Sequence, residues 1–168
     1  MKLINKTKVS DQALVAVLSD AAQSLNKRLR TTNVVVKVTY NKFSQRTNGV
    51  AYRCYEVRWD KRWRTTDKGA FKISIPMIHP SYCSIESIKH FFDTARHEWG
   101  HIADFQHNEL LDFDKPINGR RKAHDYRPEE KRVYEYIEQA ERKGITKESF
   151  ADSILNLAIE VELKYFKS

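Results

Sequence analysis

The chain has 168 residues, with 30 Lys+Arg against 22 Asp+Glu, a net charge of +8 and 40% hydrophobic residues. That composition excludes a low-complexity or disordered chain, and the length suits one hydrophobic core, so a single domain spanning 1–168 is expected. No run is apolar and long enough for a secretory leader or a bilayer span, which predicts a soluble, cytoplasmic protein with no membrane partner.

In chain order, Ser10 is a candidate N-cap with Asp11 in the first turn. Leu14, Val17, Leu18, Ala21 and Leu25 follow at helical spacing, predicting a helix over 10–30. Residues 33–40 carry three consecutive valines and then alternate, as a strand buried on at least one face does, and 50–59 read as a second strand. Thr66-Asp67-Lys68-Gly69 signals a turn. A third strand is expected over 70–77, where Phe71, Ile73, Ile75 and Met77 alternate with Lys72 and Ser74, and Pro76 points to an edge position.

A second helix is expected to start after Ser84, and a polar, basic stretch follows over 108–127. Pro128 suits the first turn of a third helix reaching about residue 143. Thr146 reads as the N-cap of a last helix, stapled by Ile145 and Phe150, with Phe150, Ile154, Ala158 and Val161 on one face. The order of one helix, three strands and three helices predicts an α+β domain: N-terminal helix, small three-stranded sheet, then the second helix and two C-terminal helices.

Cys54 and Cys83 do not have the spacing of a metal-binding pair, and two reduced thiols are expected rather than a disulfide. Basic clusters at 27–30, 61–64 and 120–122 are compatible with a nucleic-acid partner or with a solvated basic surface. No nucleic-acid-binding motif accompanies them.

The chemistry concentrates in His97-Glu98-Trp99-Gly100-His101. Two histidines four apart project from one face of a helix, close enough to share an ion. Zinc accepts neutral imidazole nitrogens and, in a catalytic site, keeps one position for water; a glutamate beside the first histidine can take that water's proton. At about 100° per residue, Ile88, Phe91, Phe92, Ala95, Trp99 and Ile102 form one stripe, with His97 and His101 nearly opposite and Asp104 beside them. The helix thus has one face for a core and another for ligands.

This segment resembles the active-site helix of the zincin metallopeptidases, and the element order resembles their minimal fold. The resemblance implies Zn2+ as cofactor, His97 and His101 as ligands, Glu98 as general base, and a protein or peptide substrate. Three candidates stand for the third ligand. Arg127-Pro128-Glu129-Glu130-Lys131-Arg132-Val133 resembles the gluzincin Glu-x-x-Ala segment with Val133 in place of Ala, which implies Glu130, with Glu129 its neighbour. The run from His97 to Asp104 resembles the active-site helix of anthrax lethal factor in its Gly before the second His and its Asp three residues after it.

His107 stands at the metzincin spacing, ten residues after His97, but Asp104 occupies the place of the helix-breaking glycine, and a helix that continues turns His107 off the ligand face. His124 follows a long loop as in the SprT-like proteases that act on DNA-bound proteins, with Asp125 where those have Gly. Asp104 is a candidate to support the site by hydrogen bonding. His124 and Tyr126, just ahead of the proposed ligand helix, are candidates to stabilise an oxyanion. The competing functions are a nucleic-acid-associated protease and a non-catalytic, zinc-stabilised regulatory module.

Overall fold

The computed structural model describes residues 1–25, 31, 34–40, 49–52, 55–57, 62–64, 71–77, 85–107 and 127–166. The chain opens on a strand, β1 (Lys2–Lys6), followed by α1 (Asp11–Gln23) and β2 (Val34–Tyr40), which lies parallel to β1 with Leu3 opposite Val36. Asn5 shapes the β1–α1 connection: its amide donates to the Val9 carbonyl and Asp11, while its oxygen accepts from Thr7. Ser10 caps α1 as predicted, its hydroxyl accepting from the Ala13 amide. The helix stops at Gln23, short of the expected 30, where Ser24 turns its hydroxyl onto the Ala21 carbonyl.

β3 (Val50–Tyr52), β4 (Tyr55–Val57), β5 (Arg62–Arg64) and β6 (Phe71–Met77) follow. The main sheet is four-stranded in the order β1-β2-β6-β3, and β4 and β5 form a separate antiparallel pair. This corrects the three-stranded expectation in three ways. β1 joins the sheet, the predicted strand over 50–59 divides into β3 and β4, and β5 arises inside a basic cluster. It also corrects the edge position expected for 70–77: β6 lies between parallel β2 and antiparallel β3. Among the described residues β3 pairs with Lys72 to Ser74, and Pro76 lies opposite Thr39 of β2. The turn expected at 66–69 and both cysteines lie outside the described residues.

α2 (Ile85–His107) is the longest helix and contacts α1, β3 and β6. It also contacts α3 (Pro128–Arg142) and α4 (Ala151–Tyr165). Its predicted stripe of Ile88, Phe91, Phe92, Ala95, Trp99 and Ile102 is buried with Val36 and Val38 of β2, Leu14 and Leu18 of α1, and Ile154, Leu157 and Val161 of α4. Trp99 donates its indole N–H to the Thr31 hydroxyl, so the ring is buried without stranding its polar atom. α3 takes Pro128 in its first turn, and after Gly144 at φ 76° a single 3-10 turn (Lys147–Phe150) leads into α4. The last helix therefore starts later than Thr146 implies, although the Thr146 amide does donate to the Ser149 hydroxyl. No helix among the described residues is long and apolar enough to cross a membrane.

Candidate metal centre

α2 and α3 together carry a group of side chains that could hold a metal ion. His97 and His101, one turn apart on α2, face Glu130, the third residue of α3. Glu130 Oε2 lies 3.1 Å from both His97 Nε2 and His101 Nε2, and the two imidazole nitrogens are 3.2 Å apart. The rings meet nearly at right angles, at 82°. Three ligand atoms thus converge on one point, and His97, His101 and Glu130 form a group able to hold a metal ion.

Two physical considerations support the fit. Donors around a tetrahedral zinc at about 2.0–2.1 Å stand roughly 3.3 Å from one another, close to the separations found here. A proton on one imidazole can serve one of these contacts at a time, whereas a cation at the shared point serves all three. Burial sharpens the second point. Glu98, Asp104, Glu129 and Glu130 are all buried, and buried carboxylates require compensating charge or hydrogen bonds. Glu129 and Glu130 gain some from the N-terminal end of α3, where the exposed amides carry partial positive charge.

Asp104 has its own cation. Arg132 presents Nε at 2.6 Å and Nη2 at 2.8 Å to the two carboxylate oxygens, and the Tyr136 hydroxyl donates at 3.1 Å. The hydrogen bond to Asp104, more than the carboxylate's charge alone, raises the Arg132 guanidinium above its usual range. The fork spans α2 and α3 and lies two residues from Glu130, so it holds the ligand carboxylate in register with the histidines. Asp104→Ala would remove the buried acceptor of this half-buried guanidinium and is expected to cost about 1.5–3 kcal/mol. Urea denaturation of the metal-free protein measures this, and a loss under about 1 kcal/mol contradicts it.

The other sequence candidates fall differently. Glu129 is buried beside Glu130 but outside the ligand group, and His107 is exposed at the end of an unbroken α2. The helix keeps its phase through Asp104, which turns His107 away from the triad. His124 and Tyr126 lie outside the described residues, as do Lys27–Arg30 and Arg120–Lys122 of the basic clusters.

No family model, curated protein or solved structure matches the chain. Its chemistry therefore has to be read from the side chains themselves.

Two residues at the site were not anticipated. Tyr134, one turn beyond Glu130, places its ring 5.4 Å from the His97 ring while remaining 47% exposed. Its spacing of four from Glu130 was the available signal. Gly49, just before β3, lies against Glu98: a Cβ there would come within 2.7 Å of Glu98 Cγ and Oε1 and 2.9 Å of Thr94 Cγ2. No local motif marks it, because the contact joins a strand to a helix almost fifty residues away.

Proposed function

We propose that the chain is a zinc-dependent metallopeptidase of the gluzincin type, with His97, His101 and Glu130 as the metal ligands and Glu98 as the general base. The observation carrying this reading is the convergence of those three ligand atoms on helices α2 and α3, beside a buried glutamate in His-Glu-x-x-His order. A purely structural metal site has no need of that glutamate.

Zinc, when bound, would supply a Lewis acid that lowers the pKa of a water and polarises the scissile carbonyl. Glu98 takes a proton from the attacking water and returns it to the leaving amine nitrogen. Gly49 leaves the space the Glu98 carboxylate occupies, since a Cβ there would meet Glu98 Oε1 at 2.7 Å. The Tyr134 ring, packed on His97 and open to solvent, is placed to contact the substrate. β3 is an outer strand whose second side is unpaired among the described residues, where an extended peptide can add.

A direct test uses an unfolded protein substrate with the purified chain. Cleavage that stops with a chelator and returns with zinc supports the proposal; chelator-insensitive cleavage, or none with zinc loaded, contradicts it. Gly49→Ala should retain zinc yet lose about 100-fold in turnover, because misplacing a catalytic group by an ångström costs that order. Parallel zinc and activity assays check this. The +8 excess also supports a nucleic-acid-associated variant of the same activity, since α1 and α4 carry five acidic residues and one lysine and the positive excess lies elsewhere. Cleavage that requires added DNA identifies that variant.

A further inference from the structure

Glycine inside a helix is destabilising relative to alanine, since it adds backbone freedom to the unfolded chain and packs nothing. Gly100 sits inside α2, between Trp99 and ligand His101, where Val133 of α3 meets it. A Cβ at position 100 would lie 2.7 Å from Val133 Cγ1, 3.4 Å from Cγ2 and 3.5 Å from Cβ. Ordinary carbon–carbon contact is about 3.5–4.0 Å, so the added carbon requires a movement of most of an ångström.

Val133 has little freedom to yield. It is fully buried, and a β-branched residue in a helix is held largely to one χ1 rotamer. Because both methyls flank the glycine, turning one away brings the other toward it. The remaining response is for α3 to move from α2. Val133 and Glu130 are three residues apart on one face of α3, so such a movement carries the Glu130 carboxylate away from His97 and His101. Metal sites tolerate ligand displacements of only about 0.2 Å.

We infer that Gly100 and Val133 form a size-matched pair that sets the distance between the two halves of the ligand set, making both positioning residues for the metal. The inference rests on the metal-centre reading above and deepens it. It also accounts for a valine where the resembling segment has alanine: the volume added on α3 is vacated on α2.

The test is zinc affinity, measured by competition with a chromophoric chelator, for wild type, Gly100→Ala, Val133→Ala and the double variant. Circular dichroism of each metal-free protein reports folding. Gly100→Ala should bind zinc about 10–100-fold more weakly, the range seen when the support of a ligand is lost. Adding Val133→Ala should restore affinity to within about threefold of wild type, as coupled neighbours do in a double-mutant cycle. If Gly100→Ala binds zinc as wild type does, or if the folded double variant stays as weak as the single one, the pairing is overturned. If Gly100→Ala does not fold, recovery of both fold and zinc binding in the double variant supports it, and a folded double variant without zinc overturns it. Wild type that takes up no zinc overturns the metal centre and this inference with it; wild type that binds while Gly100→Ala binds equally overturns the inference alone.

Discussion

Glu130→Ala is expected to weaken zinc binding by more than about 100-fold, beyond the loss that follows from disturbing residues behind the ligands. The carboxylate is the only anionic member of the ligand group and lies 3.1 Å from both imidazoles, so its removal takes away one donor and the charge that offsets the cation. The effect on the metal-free protein should differ in sign. Glu130 is 4% exposed, and replacing a buried carboxylate by an apolar group removes a desolvation cost. Metal-free Glu130→Ala should therefore melt at or above the temperature of the metal-free wild type. At a thousand times the wild-type Kd, zinc should then stabilise wild type by about 4 kcal/mol and the variant by less than about 1.5 kcal/mol. Melting curves with and without zinc resolve the two effects. Equal stabilisation of wild type and variant would remove Glu130 from the ligand set.

Glu98→Gln divides the site the other way. The amide keeps the shape that fits beside Gly49 but cannot accept the proton of the attacking water. Zinc content should stay at the wild-type level while turnover falls about 100- to 10,000-fold, the usual contribution of general base catalysis. Loss of zinc together with activity would instead assign Glu98 a ligand or structural role. Full activity in the variant would sink the proposed mechanism.

The ligand helix was legible in the sequence because its signals are local. Four-residue spacing puts His97 and His101 on one face, and the stripe from Ile88 to Ile102 marks the opposite face for burial, as found. Glu130 entered only through the resemblance of 127–133 to the gluzincin segment, with Glu129, His107 and His124 as alternatives, because joining it to the histidines requires knowing how α3 meets α2. The sheet was less legible. β1 is a five-residue strand paired on one side, and its place beside β2 depends on a crossover through α1 that no short window contains. Pro76 misled because a proline reports a missing hydrogen-bond donor, not a missing neighbour, and β6 keeps a strand on each side. Gly49, Tyr134 and the Gly100–Val133 contact escaped because each depends on where one element meets another.

The coordination of the loaded metal bears most directly on the assignment. X-ray absorption at the zinc edge of the wild-type protein, loaded with one equivalent, should give two imidazole nitrogens and low-atomic-number oxygen donors at about 2.0–2.2 Å, with no sulfur and a water in the open position. Sulfur in the first shell, a single imidazole, or failure to bind one zinc per chain would contradict a centre built from His97, His101 and Glu130.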